Sequence, residues 1–165
     1  MARIESWAGA ARLAAAVGVA FAGLAASSVA HASTFSGLNG TWSGSGQVRL
    51  ENGRSEGIRC TANYVPRSSG TALALSLRCA SASNRIELRA SLSLNGNRVS
   101  GSWEERSFNA SGSIGGIAAG SSLRLRFSGS IEGAMLVTTS GRSQSISVRT
   151  DTTALKGVTV SLRRN

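Results

Sequence analysis

The chain of 165 residues carries 18 Lys and Arg against 8 Asp and Glu, which gives a formal net charge of +10, and it has one His and two Cys. The single histidine, His31, precedes the predicted domain, so a Ser-His-Asp or Cys-His catalytic arrangement and His-bound zinc are both excluded there. We therefore expect a protein that is not an enzyme and that needs no metal or other cofactor.

The N-terminal segment has the order of a secretory signal peptide. Arg3 and Arg12 supply the basic region, residues 13–29 are apolar and uncharged, and Ala30-His31-Ala32 forms a cleavage site of small residues. A membrane anchor is the alternative, but the apolar run of about 17 residues is at the lower limit for a span. We expect residues 1–32 to be removed and residues 33–165 to form one domain, periplasmic or secreted, with no integral membrane segment.

The first two predicted strands form a hairpin. The first opens at Gly40-Thr41-Trp42 and ends at a turn centred on Asn52-Gly53, a dipeptide that favours tight turns. The second runs from about Glu56 to Val65, and Pro66 ends it because proline cannot donate to a strand ladder.

The two cysteines predict the register of the next pair of strands. Leu73, Leu75, Leu77 and Cys79 alternate with polar residues in a third strand, and Cys60 would face Cys79 across a turn near Ser69 and Gly70. Export favours a disulfide, which should stabilise the fold by about 3 kcal/mol by closing this loop. Two buried free thiols are the alternative.

The remaining chain predicts strands joined by tight turns. Alternation is clearest from Ile86 to Leu94, before an Asn95-Gly96 hairpin. Further strands are predicted at residues 98–105, 106–114, 123–127, 134–139, 144–149 and 158–162, with a loose loop between Gly115 and Gly120. No helical periodicity follows residue 32. The pattern predicts an all-β antiparallel meander that closes as a small β-barrel, with a β-sandwich as the alternative.

A five-residue pattern recurs along the chain, and its glycines fit the bends that a small barrel needs; a binding role is the alternative. The copies are Val99–Trp103, Ala110–Ile114, Phe127–Ile131 and, more loosely, Leu38–Trp42.

Gly40-Thr41-Trp42 resembles the G-x-W opening of lipocalin-type barrels, and the segments 38–42 and 99–103 resemble strand starts of the avidin family. Both resemblances imply a ligand-holding up-and-down barrel. Gly44 stands where the avidin family has a biotin-contacting Asn, so biotin binding is not implied. The whole chain resembles small exported proteins of Gram-negative bacteria with the same GTW start, Cys pair and Arg-rich end, a group to which no activity is attached.

The large rings are candidates for a core or for the wall of an apolar ligand cavity. These residues are Trp42, Tyr64, Trp103 and Phe127. A barrel with its apolar face in a lipid bilayer is disfavoured because the chain lacks aromatic girdles.

Arginines occupy the predicted outward positions, where a positive field would attract an anionic envelope component, an anionic glycan or a partner protein. Solubility and edge protection are the alternative. Nucleic acid is not an expected partner, because few aromatic residues are present for base stacking. The residues are Arg49, Arg59, Arg78, Arg89, Arg124, Arg126, Arg149 and Arg163.

Glu104 and Glu105 are the one adjacent acidic pair. Successive strand residues face opposite sides, so the two cannot act together as acid and base, and we expect solvated charges at a strand end.

The sequence thus predicts an exported, non-enzymatic barrel that binds a small apolar ligand or an anionic envelope component. A periplasmic protease inhibitor is the alternative, by resemblance to small inhibitor barrels with one disulfide.

Overall fold

A computed structural model describes residues 34–151 and 155–165. The predicted signal peptide, residues 1–32, lies outside the described residues. Ten strands follow a one-turn 3-10 helix at Ser36–Leu38, and a second 3-10 turn at Ser68–Gly70 joins β2 to β3. The strands are β1 (Gly40–Leu50), β2 (Ser55–Arg67), β3 (Ala72–Ala80), β4 (Arg85–Asn95), β5 (Arg98–Glu105), β6 (Ala110–Ala119), β7 (Ser122–Gly129), β8 (Gly133–Ser140), β9 (Ser143–Thr150) and β10 (Leu155–Arg164).

The strands form a closed barrel. Each pairs antiparallel with the next along the chain, and β10 returns to pair with β1, so the sheet has no free edge. This confirms the predicted antiparallel meander and its closure as a barrel. Among the described residues, no helical segment has the length and apolar character needed to cross a membrane.

Alternation along each strand separates an apolar interior from a polar exterior. In β2, Ile58, Cys60, Ala62 and Tyr64 are buried while the residues between them are exposed. All eight predicted outward arginines are exposed. The apolar parity therefore faces inward and these arginines face outward.

The predicted loop between Gly115 and Gly120 is wrong, because β6 continues through Gly115 and Gly116 to Ala119. Glycine carries no apolar signal, so the alternation cannot be followed through it. Its role here is steric: a Cβ at Gly112 or Gly116 would overlap the backbone of the neighbouring strand β7. The inward glycines thus allow neighbouring strands to approach closely where the wall bends.

The register between β2 and β3 is the one that the cysteines predict. Cys60 lies directly opposite Cys79, and a disulfide joins them across the two strands. Both side chains are buried on the inner face of the wall.

Candidate ligand site in the barrel interior

One end of the barrel is closed by a fully buried cluster, here called the sealed end. The 3-10 helix before β1 crosses this end, and Phe35 and Leu38 from that segment pack inside it. Trp42 is 0% exposed there, and its indole Nε1 donates a hydrogen bond to the Leu38 carbonyl oxygen over 2.8 Å. The ring therefore has both its apolar surface and its polar atom satisfied.

Two further side chains enclose the Trp42 ring. The Arg164 guanidinium lies 4.7 Å from the centre of the Trp42 ring and also donates to the Gly37 carbonyl. The Tyr64 ring meets Trp42 edge-on with 6.3 Å between centroids. Such contacts fix the ring in place and leave no free face for a ligand.

A buried polar pair completes the sealed end. The Tyr64 hydroxyl donates to Gln144 Oε1 over 2.8 Å. Burial raises the pKa of the Tyr64 phenol well above its ordinary value, against the smaller lowering effect of the Gln144 hydrogen bond. Tyr64 therefore stays protonated and acts as a hydrogen-bond donor.

The half of the interior distant from this end is lined differently. Nine of its inward-facing apolar side chains are only partly buried, although Cys79, directly opposite Ile86, is buried. We call these nine the half-buried lining. They are Leu75, Leu77, Ile86, Leu88, Ile114, Phe127, Met135, Ile146 and Val148.

Trp103 belongs to a second, smaller cluster beside this lining. It packs with Ala90 and Ala110 and meets Phe127 edge-on at 6.2 Å between centroids. The ring is 7% exposed, and among the described residues its Nε1 has no hydrogen-bond partner. The four predicted aromatic residues are therefore two separate pairs: Trp42 with Tyr64 at the sealed end, and Trp103 with Phe127 beside the half-buried lining.

Glu105 corrects the expectation of solvated charges at the end of β5. Glu104 is exposed, but Glu105 is 7% exposed and accepts backbone N–H bonds from Glu87 and Phe108, each over 2.7 Å. Burial raises the pKa of the Glu105 carboxyl, but the backbone hydrogen bonds outweigh it and the net pKa is lowered. The carboxylate thus fixes the turn between β5 and β6, on which Phe108 is 61% exposed.

Some of these residues could have been found from the sequence. Glu105 shares the inward parity of Trp103, Gln144 that of Ile146, and Arg164 that of Leu162. Strict alternation therefore gives their orientation. The half-buried lining could not be found in this way, because alternation gives the face of a strand and not the depth along the barrel axis.

Comparisons with known structures identify the fold. The chain is similar to the crystal structure of Rv2717c from M. tuberculosis, with a TM-score of 0.65 and 13% identity over 79% of this chain and 94% of that one. It is also similar to the S-type phycobiliprotein lyase CPES from Guillardia theta, with a TM-score of 0.57 and 10% identity over 79% of this chain and 90% of that one. At these identities the likeness shows the fold alone: a lipocalin-like barrel.

No protein-family model and no curated protein sequence matches the chain. The predicted lipocalin-like barrel is confirmed at the level of fold, while the comparisons do not identify the group of exported bacterial proteins. The expectation that the protein is not an enzyme, which was drawn from the lack of histidine in residues 33–165, is wrong. A barrel of the same fold is described as a lyase, so this architecture is not restricted to binding.

Proposed function

We propose that this chain is an exported protein that binds a small apolar ligand within the half-buried lining of its barrel. The observation that supports this most is the contrast in burial within one wall. Side chains at the sealed end are covered by their neighbours, whereas the nine side chains of the half-buried lining retain accessible surface. Covering that surface with a ligand is favourable by about 25 cal/mol per Å².

The chemistry of this lining favours an apolar ligand over a charged one. Its side chains are aliphatic except for Phe127 and the thioether of Met135. The buried carboxylate of Glu105 already accepts hydrogen bonds from three backbone N–H groups. Export is supported by the signal-peptide pattern of residues 1–32 and by the Cys60–Cys79 disulfide, since such bonds persist in oxidising compartments.

The test is the binding of N-phenyl-1-naphthylamine, a neutral apolar dye, to the mature protein followed by fluorescence. A neutral dye avoids attraction to the basic exterior. Met135→Trp fills the interior, whereas Leu136→Trp, one residue further along β8, adds the same ring on the outer face. We expect Met135→Trp to abolish saturable binding and Leu136→Trp to leave it unchanged.

Equal binding by both variants would overturn the proposal, since the dye would then be bound outside the barrel. A wild-type protein that binds no dye would overturn it as well. The similarity to a lyase raises the question of whether the same interior also catalyses a reaction. To test this, the protein is incubated with envelope lipids, and the ligand that it releases is analysed by chromatography. A chemically altered ligand would indicate an activity beyond binding.

A further inference from the structure

Arginines on the two sides of the outer wall have different surroundings. On β3 to β5, carboxylates accompany them: Arg78 forms a salt bridge with Glu87 at 3.8 Å, and Arg89 lies opposite Glu104 in register. These exposed pairs neutralise charge locally and contribute little to stability.

On the other side, a single cross-strand row alternates arginine with very small residues. Arg49 of β1 lies opposite Gly157 of β10, which lies opposite Arg149 of β9. The row continues through Ala134 of β8 to Arg126 of β7. We call Arg49, Arg149 and Arg126 the arginine row. The salt bridges found between described residues, Arg78–Glu87 and Lys156–Glu51, involve none of them.

The small residues leave two shallow grooves between the arginines. One has a volume of about 510 Å³ and is lined by Arg49, Arg149 and Gly157 together with outward hydroxyl groups such as those of Ser147 and Thr159. Arg49 Nη2 lies 3.6 Å from the position of a Cβ built on Gly157, so the guanidinium lies against this glycine on the outer face.

The second groove continues the row, with a volume of about 1110 Å³. Arg126, Ala134 and Gly115 line it, and Arg124 adds a further cation. The exposed apolar side chains of Ile117 and Leu136 line it as well. Glu132 and Asp151 also line it. These two acids lie at the turns that end the strands and so mark one boundary of the positive track.

The curvature of the wall selects the shape of the partner. From Arg49 to Arg126 the row covers four of the ten strand-to-strand steps of the closed barrel. Arginines on alternate strands are about 10 Å apart, twice the strand spacing. A flat lipid surface cannot contact a row that turns through two fifths of a circumference, whereas a flexible chain can follow it.

We propose that the arginine row binds a flexible linear polyanion of the acidic polysaccharide class. Carboxylate or sulfate groups spaced along such a chain would pair with successive guanidinium groups. The hydroxyls of the first groove and the Gln47 amide suit hydrogen bonds to sugar hydroxyls. No aromatic ring lines the first groove and Phe127 is the one ring that lines the second, which disfavours a nucleic acid because single-stranded bases bind by stacking on several rings.

The test is titration of the mature protein with a heparin-derived oligosaccharide at low and high salt. The row variant is Arg49→Gln/Arg126→Gln/Arg149→Gln, and the matched control is Arg78→Gln/Arg85→Gln/Arg89→Gln on β3 and β4; each removes three exposed positive charges. We expect the row variant to lose about tenfold or more in affinity at low salt. The control should stay within about twofold, since distant exposed charges are screened.

Equal losses in the two triple variants would overturn the proposal, because net charge alone would then explain binding. Absence of oligosaccharide binding by the wild type at low salt would overturn it too. Binding to phosphatidylglycerol vesicles that is tighter than binding to the oligosaccharide and depends on the arginine row would assign the surface to a membrane instead.

Ala134→Glu provides a second variant with one substitution. It places a carboxylate between Arg149 and Arg126 and should weaken binding, while Ser91→Glu on β4 should not. A circular dichroism spectrum and a melting temperature equal to those of the wild type show that each variant is folded.

Discussion

Trp42 and Trp103 end two copies of one sequence pattern, yet their surroundings differ in kind. Trp42 donates to the Leu38 carbonyl, lies beneath Arg164 and is fully buried at the sealed end. Trp103 packs over Gly112 and beside Phe127 with its N–H unpaired, next to apolar side chains that keep accessible surface. The repeat fixes the backbone geometry of the wall, while the position along the barrel axis decides whether the ring closes the barrel or borders its interior.

The largest expected effect is that of Trp42→Ala. Removing a fully buried ring from the sealed end should cost about 3–5 kcal/mol of unfolding free energy. A domain of this size has only about 5–15 kcal/mol in total, so the variant should be close to unfolding. Thermal denaturation followed by circular dichroism measures this. An unchanged midpoint would show that the Trp42 ring does not close the barrel and would remove the contrast with Trp103.

Loss of the disulfide should give the next largest decrease in stability. It should destabilise the whole barrel rather than the sealed end or the half-buried lining alone. The bond joins β2 and β3 across a sequence separation of 19 residues. Cys60→Ala/Cys79→Ala should lose about 3 kcal/mol because the unfolded chain gains freedom. Dye binding at low temperature should be retained. Mass spectrometry of the exported protein that finds two alkylatable thiols before reduction would contradict the disulfide itself.

The paired Trp→Phe substitutions compare the two regions most closely in chemistry. Trp42→Phe removes the donor of a buried hydrogen bond and leaves the Leu38 carbonyl unpaired, whereas Trp103→Phe removes an N–H that is already unpaired. Since the loss of ring size is the same, Trp42→Phe should cost about 1–2 kcal/mol more than Trp103→Phe in urea denaturation. Equal costs would mean that the Trp42 hydrogen bond contributes nothing.

Glu105→Gln, in the half of the barrel that contains Trp103, should lower the free energy of unfolding by less than the substitutions above. The size of this decrease should depend on pH. Because the folded-state pKa of Glu105 is lowered, its contribution is fully present above the unfolded pKa of about 4.3 and is lost as pH falls through the folded value. We expect a stability difference from wild type of about 1 kcal/mol at neutral pH that shrinks in acid. Urea titrations at pH 7 and pH 3 measure it, and a difference that grows in acid would contradict the assignment.

Much of the fold could be predicted from the sequence because alternation and turn residues are local signals. The register between β2 and β3 followed from a single constraint, the pairing of Cys60 with Cys79, which the structure confirms. The path of β6 could not be predicted, since Gly115 and Gly116 have no side chain to alternate. Gly116 is required by the close approach of the β7 backbone, which is a tertiary constraint.

The site was less predictable than the wall. Trp42, Tyr64, Trp103 and Phe127 were grouped by chemistry, and the structure divides them by depth. From the sequence, Arg164 was only part of an Arg-rich end. Its stacking on Trp42, 122 positions away in the chain, was not predicted. Contacts of this kind depend on how the barrel closes, and no local pattern contains that information.

The most direct test of the central claim uses the two tryptophans as reporters of the two regions. With Trp7 removed together with the predicted signal peptide, Trp42→Phe leaves only Trp103 and Trp103→Phe leaves only Trp42. Bromododecanol, an apolar ligand whose bromine quenches nearby indole emission, is titrated into each protein. The account predicts saturable quenching of Trp103 and unchanged emission from Trp42. Quenching of Trp42 equal to or greater than that of Trp103 would contradict it.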